Sequence, residues 1–461
     1  MAGIGFRLKR LLSSNNYRDL VSAYGYSAIV SSGSWMMSMI SLIAVGFFIS
    51  SSEILITGGR EDAAVFRIAI TYIYAGSLIL GGGFHLGTAR FISDRLYAGH
   101  IEDVLPCFMR AAAALLGFSF VLSGLWFAFS GLGPVQAVAC LVMFQSLSLV
   151  WLAMVFLSAA KGYEMIVWGF FFCHVAGTGL AIGGYRLGGL DFALSGYALG
   201  QLLLAFWLSW RIFREFPSYN PETSDVFDYL RGNRILLALG LIFNLSIWVD
   251  KLIIWYSPLG RGIVGWFRCA DSYDTCLFFS YLTIIPAMSL FLIRIETSFY
   301  RAYSIFFTAV VGGGDLDSIM EGKAKIRASL WLSITRLAKS QGAFTLCLVI
   351  AAPIIEPYLG VGVDNIPTLR FALIAAFLQA LLLFLLIFLL YFDWHEEAIY
   401  LGLLFLMLNA ILTGLTVMLF PQFLGLGYLF ALLISLVAGV FLFNAGMERL
   451  EFETFAKQSA V

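Results

Sequence analysis

AIYLGLLFLMLNAILTGLTVMLFPQFLGLGYLFALLISLVAGVFLFNAGM, residues 398–447, contains no Asp, Glu, Lys or Arg. A bilayer crossing needs about 20 apolar residues, so this run is long enough for two, and Pro421-Gln422 near its middle supplies the turn. Residues 111–160 repeat the pattern, with Gly131-Leu132-Gly133-Pro134 as the break. Shorter uncharged runs lie at 68–89, 165–185, 192–210, 275–293 and 371–392, and a longer one at 20–52. The stretches 235–249 and 340–355, interrupted at Asp250-Lys251 and Glu356, are apolar enough to complete twelve spans.

Composition agrees. Hydrophobic residues make up 61% of the 461 and charged residues only 12%, against about 25% charged in an average soluble domain. Too little polar surface exists to cover a soluble body of this size, which excludes a soluble enzyme, a nucleic-acid binder and a disordered chain. The fold class expected is an all-α polytopic membrane protein. Six cysteines are scattered without a CxxC pair, and His85, His100, His174 and His395 lack ligand spacing, so no metal site is expected. Gly322-Lys323 lacks the glycine and hydroxyl residue of a phosphate loop. No cofactor and no enzymatic activity are expected.

The lysines and arginines orient the chain. With the N-terminus inside, 21 of the 28 fall on the inner side and 7 on the outer, which places both termini in the cytoplasm. A polar connector after the sixth span, Pro217 to Asp225, divides the chain into a six-helix lobe at 1–215, a cytoplasmic linker at 216–232 and a second six-helix lobe at 233–461. An even number of spans per half makes any repeat parallel. Gly99-His100-Ile101-Glu102-Asp103-Val104 after the second span and Gly314-Asp315-Leu316-Asp317-Ser318-Ile319 after the eighth echo one another. The loop 311–339 is long and basic. Its Lys323, Lys325 and Arg327 are suited to anionic lipid heads or to docking a cytoplasmic partner.

Ionisable residues at membrane depth are the candidate site. Asp250 lies 16 residues beyond Arg234, about 24 Å along a helix, and Glu356 lies 17 beyond Lys339, about 25 Å. Such residues face cavities or pair with one another. Lys251, adjacent to Asp250, points about 100° away on an ideal helix and is expected to snorkel outward. Trp248, Asp271, Tyr273 and Asp274 extend the same lining toward the outer mouth and suit a sugar path. Arg90 and Asp94 at the inner end of the second span, with Arg294 and Glu296 at that of the eighth, are candidate structural or gating groups.

Several segments carry a resemblance. Gly3-Ile4-Gly5-Phe6 with Arg7, Lys9 and Arg10 is one; Ser32-Gly33-Ser34-Trp35 and Arg90-Phe91-Ile92-Ser93-Asp94-Arg95-Leu96-Tyr97 are others. So are Asp250-Lys251, Tyr273-Asp274 and Glu296-Thr297-Ser298-Phe299-Tyr300-Arg301-Ala302-Tyr303. Together these resemble the PelG family of inner-membrane Pel exopolysaccharide transporters. The family belongs to the polysaccharide branch of the multidrug/oligosaccharidyl-lipid/polysaccharide (MOP) flippase superfamily. One departure is Gly33-Ser34-Trp35, where the family pattern is Gly-Pro-Trp; serine softens the kink. The resemblance implies two lobes around a central cavity. It also implies export of an amino-sugar polymer, without an ATPase of its own, from the cytoplasmic glycosyltransferase PelF to the periplasm. PelD, a cyclic-di-GMP receptor, and PelE are the membrane partners implied. The alternatives are a cation-coupled small-molecule exporter and a scaffold anchoring a synthase.

Overall fold

The computed structural model describes residues 17–51, 59–160, 162–216, 226–295 and 299–458. Helices dominate, because a backbone in hydrocarbon must satisfy its own polar groups. They are α1 (Tyr17–Ser51), α2 (Gly59–Ala98), α3 (Val104–Ala128), α4 (Pro134–Ala159), α5 (Tyr163–Glu215), α6 (Val226–Gly232) and α7 (Arg234–Trp255). A two-stranded hairpin follows, β1 (Arg261–Val264) and β2 (Phe267–Cys269). Then come α8 (Asp271–Leu282), α9 (Ile285–Arg294), α10 (Tyr300–Val311), α11 (Leu316–Leu359), α12 (Ile366–Tyr391), α13 (His395–Leu419) and α14 (Leu426–Gln458).

Among the described residues eleven helices are long and apolar enough to cross a bilayer, α8 and α9 counting as one. The chain nevertheless makes twelve crossings, because α5 is two helices. Gly188 and Gly189 leave helical geometry, and Gly189 sits at φ +66°, a conformation open chiefly to glycine. Side-chain space vanishes where the limbs meet. A methyl on Gly184 would overlap Phe192 backbone, one on Gly196 would overlap Leu180, and one on Gly200 would overlap Gly177. Residue numbers rise on one limb as they fall on the other, so 163–187 and 190–215 form an antiparallel hairpin. Parity gives the same answer. Gly265, in the β1–β2 turn, packs directly on Ser130 and Gly131, so an even number of crossings separates those two turns. Counting α4, both limbs of α5, and α7 gives that even number.

The chain folds as two compact units, residues 33–270 and residues 1–32 with 271–461. This division by contact is not the sequence division at 216–232. The seventh span, α7, packs on α2 in the first unit: Gly82 and Gly240 meet backbone to backbone, with no room for a Cβ on either. The triple glycine Gly81-Gly82-Gly83 is thus a close-packing point. The core of that unit gathers Phe91, Phe108, Leu115, Leu152, Phe156 and Phe170.

In the other unit the expected loop 311–339 is helical. From Leu316 onward α11 runs unbroken, with Ile319, Ile326, Leu330 and Leu337 buried along it. No glycine pair or proline interrupts that stripe before Pro353, so the helix extends far beyond its apolar span. α10 packs its Ala302–Phe306–Val310 face, buried at every fourth position, against Gly322 of α11. Pro353 cannot donate to Val349 O, and Arg370 Nε from α12 supplies that carbonyl at 3.2 Å.

Candidate functional site

In the unit of residues 33–270 the candidate groups cluster near the end of α7. Asp250 is fully buried and Lys251 is 6% exposed. The expectation that Lys251 snorkels outward is corrected by the geometry. Its ammonium folds back to 3.4 Å from both Asp250 carboxylate oxygens, donates to Ile247 O at 2.9 Å and lies 5.3 Å from the Trp248 ring centre. The four-carbon stem spans the 100° between the two Cβ positions, and pairing offsets the desolvation of both charges. Trp248 neighbours Trp255 at 6.4 Å, and Tyr72 of α2 stacks on Trp255 at 4.7 Å. Tyr72 also donates to Arg268 O at 3.1 Å. Arg268 in turn ties the β-hairpin to the end of α7, through Trp255 O at 2.8 Å and Gly260 O at 2.6 Å. Trp266 donates to Phe129 O. Sequence reading missed this hairpin, whose signal was Gly265 between short β-branched and aromatic runs.

In the other unit Glu356, also buried, builds a turn. Gly360 closes α11 at φ +65°, its N–H bonding Glu356 O, and the Glu356 carboxylate accepts Gly362 N–H at 2.9 Å. The start of α8 lies against that turn: Ser272 donates to Val361 O at 3.3 Å. Asp271 is exposed, Asp274 half-buried and Tyr273 buried. Both acids occupy the first turn of α8, where the helix dipole favours negative charge. Tyr273 packs beside Gly425 of the 421–425 turn. The structure therefore brings Asp271, Tyr273 and Asp274 to the turn that Glu356 holds.

Of the helix-end candidates, Arg90 and Asp94 are joined to one another and to α6. Arg90 pairs with Asp94 at 3.2 Å, and Tyr229 of α6 donates to the other Asp94 oxygen at 2.6 Å. Burial, reinforced by that carboxylate, holds the Tyr229 phenol above its ordinary range. Arg294 lines a cleft with Phe291, Phe299, Ser333, Phe384 and Phe388, while Glu296 lies outside the described residues. The three docking lysine and arginine positions divide. Lys323 is committed internally, to Glu451 and Glu448 O of α14, which corrects its reading as a docking group. A half-buried ammonium needs that partner. Lys325 pairs with Glu321 on the exposed face, and Arg327 is exposed.

A second buried polar centre went unread, because its members are uncharged and far apart in sequence. Ser38 of α1 contacts His174 Nε2 at 3.0 Å, and Ser41 bonds Thr178 at 2.6 Å. Gln201 Nε2 lies 3.3 Å from the same imidazole nitrogen. His174 Nδ1 faces Phe170 O at 2.9 Å. The one available signal was the Ser38/Ser41 spacing, which places two hydroxyls on one helix face.

The helix order and the α5 hairpin give the chain the fold of solved MOP superfamily transporters. A MOP superfamily transporter from Pyrococcus furiosus superposes with TM-score 0.64 at 14% identity, over 98% of both chains. A MATE transporter in its straight conformation gives 0.65 at 13%, over 98% of this chain and 97% of that one. An outward-facing multidrug resistance MATE family transporter gives 0.61 at 15%, over 93% and 95%. At these identities the likeness is one of fold. No protein of curated function matches in sequence. The sequence matches the PelG family of exopolysaccharide exporters (EPS-E) over residues 1–455, and the chain belongs to that family. It is a multi-pass membrane transporter for exopolysaccharide export.

Proposed function

We propose that this exporter moves an amino-sugar polymer of the Pel type from cytoplasm to periplasm across the inner membrane, with both termini cytoplasmic. In this reading the chain comprises two six-helix lobes, 1–215 and 233–461, joined by the linker 216–232. The polymer is received from PelF, with PelD and PelE as membrane partners, and the exposed Lys325–Arg327 face of α11 is the docking surface for the cytoplasmic synthase.

One observation supports this reading most: Asp250, Lys251 and Trp248 form a compact group of carboxylate, ammonium and ring face. A sugar presents hydroxyls, an apolar ring face and, where deacetylated, an amine. The half-buried Trp248 ring is the face offered to a sugar, and the buried pair behind it carries no net charge that would hold a polycation too tightly, as passage requires. The acids Asp271 and Asp274, beside the turn that Glu356 holds, attract free amines. Secreted polymer is the readout. Trp248→Ala is expected to lower it at unchanged transporter abundance in the membrane, and Trp248→Phe to restore most of it. Normal secretion from Trp248→Ala overturns this assignment of the polymer path.

A further inference from the structure

The cleft that Arg294 lines lies within the unit of residues 1–32 and 271–461, and the polymer contacts proposed above do not use it. α9 brings Phe291 and Arg294 to it, α11 brings Ser333 and Leu337, and α12 brings Leu381 and Phe388. One wall is aromatic. Phe291 stacks on Phe384 with ring centres 3.8 Å apart, and Phe388 meets Phe291 edge-on at 5.8 Å and Phe299 at 5.2 Å. Ala287, Leu337, Ala380 and Phe384 form an apolar cluster at the far end. Ala287 lies seven residues before Arg294, about 10 Å along the helix.

Arg294 is the only charged side chain on this lining, and Ser333 the only other polar one. Ser333 gives its hydrogen to Ser329 O at 2.7 Å. Among the described residues nothing pairs with the Arg294 guanidinium, although it is half-buried. A cation held against rings and aliphatic groups needs an anion, because desolvation of its charge is otherwise uncompensated. The planar fork of N–H donors matches a phosphate in particular. Arg336, exposed on α11, stands one turn beyond Ser333 and adds a second cation at the rim.

The surroundings say where the anion comes from. α9 turns its Ser289 side to α1: Ser289 donates to Tyr24 O at 3.0 Å and accepts from Ser27 Oγ at 2.8 Å. Phe291, two positions on, points about 200° away, so the cleft lies on the side of α9 turned from α1. On α11, Leu332, Leu346 and Ile350 share one face and are exposed, which in a membrane-spanning chain is a face toward hydrocarbon. The rim at Ser333 adjoins that face. A groove with a guanidinium at one end and apolar walls along the rest fits an amphiphile, with its head at Arg294 and its tail toward Leu381.

We propose that this cleft binds an anionic phospholipid of the cytoplasmic leaflet. Its phosphate takes the Arg294 fork, and one acyl chain lies along the Phe291–Phe384 wall. Basic pockets between helices on the cytoplasmic side select lipids of net negative charge. The eighth span is broken between α8 and α9 at Thr283-Ile284, and a lipid clasped by α9, α11 and α12 ties its inner segment to both neighbours. Binding is therefore expected to stabilise the folded transporter. The choice of leaflet rests on the orientation proposed above, whereas the site itself does not.

The test titrates the full-length protein in detergent with phosphatidylglycerol, phosphatidylcholine or glycerol phosphate and reads the melting temperature. Each variant is referred to its own lipid-free melting, which also verifies its fold. Phosphatidylglycerol is expected to raise the melting temperature at concentrations where the other two have little effect. Arg294→Gln should move the midpoint of that titration up by about tenfold or more. Arg294→Lys, which keeps the charge and loses the fork, should fall between. Ile334→Trp, which narrows the apolar part of the cleft, should weaken binding with Arg294 intact. Arg301→Gln, an exposed arginine of α10, should change nothing. Equal stabilisation by phosphatidylcholine, full stabilisation by glycerol phosphate, or equal midpoints for Arg294→Gln and Arg301→Gln overturns the lipid site. The readout contains no secretion, so its failure leaves the exporter reading standing. A wild-type chain that restores no secretion to a deletion strain overturns the exporter reading and leaves the lipid site standing.

Discussion

Lys251 follows Asp250 directly, which on an ideal helix sets their Cβ atoms about 100° apart, yet the two charges meet. Residue spacing describes where side chains start, and a long flexible stem in a medium of low dielectric decides where its charge ends. The consequence is measurable. Asp250→Asn leaves a buried ammonium uncompensated, a change that costs about 3–5 kcal/mol when one partner of a buried pair is lost, so transporter abundance should fall along with export. Asp250→Asn with Lys251→Gln removes both charges and should restore abundance. If export stays low in that double variant, as expected, the pair acts on the polymer; if export returns as well, the pair serves folding alone. Glu356 behaves differently, because its role as an acceptor for Gly362 N–H needs an oxygen and not a charge. Glu356→Gln should therefore keep normal membrane levels, whereas Glu356→Ala orphans the N–H and should lower thermal stability by about 1–3 kcal/mol. Measured melting of the two purified variants separates the turn from the chemistry.

At the scale of elements, α5 shows what a sequence reveals and what it hides. The gap between runs 165–185 and 192–210 marked two spans, since Arg186 and Asp191 interrupt the apolar pattern. That the break is only Gly188-Gly189, and that Gly177 and Gly200 let the limbs touch, was not legible: spacing along the chain does not say which small residue faces which. Gly200→Ala should push the limbs apart, because its methyl would overlap Gly177; overpacking of this kind costs about 1–3 kcal/mol. Gly179→Ala, where nothing lies within 4 Å, should be neutral or slightly stabilising, as alanine is the better helix former. Equal melting temperatures for the two variants would refute the hairpin register. The extension of α11 was hidden for a related reason. Charges at Lys323, Lys325 and Arg327 read as loop, although Glu321 and Glu451 pair two of them and the buried stripe beneath keeps a helical period.

Across the whole molecule the span count was legible because charges are so rare that each one punctuates the chain. The division into compact units was not, because it depends on α7 packing onto α2 through Gly82 and Gly240, a contact between residues more than 150 positions apart. Orientation belongs to this scale too. Contacts between turns and helix ends fix which of them share a side without saying which side that is: Gly131 lies with Gly265, Val361 with Ser272 at the start of α8, and Lys323 in the first part of α11 with Glu451 in the last part of α14. The proposed orientation takes its sign from the excess of lysine and arginine on one set of turns, by the rule that such segments stay in the cytoplasm. Reporter fusions at Gly131, Gly189 and Gly360 should therefore be active as periplasmic enzymes, and fusions at Gly99 and Gly313 as cytoplasmic ones. The Gly189 and Gly360 pair is the more demanding part. Treating α5 as one crossing leaves Gly131 and Gly99 where they are but moves every later turn to the opposite side, so Gly360 would report from the cytoplasm and Gly313 from the periplasm. A periplasmic signal at Gly131, Gly189 and Gly360 together is compatible only with a chain that turns back at Gly188-Gly189 and enters the membrane from the cytoplasm.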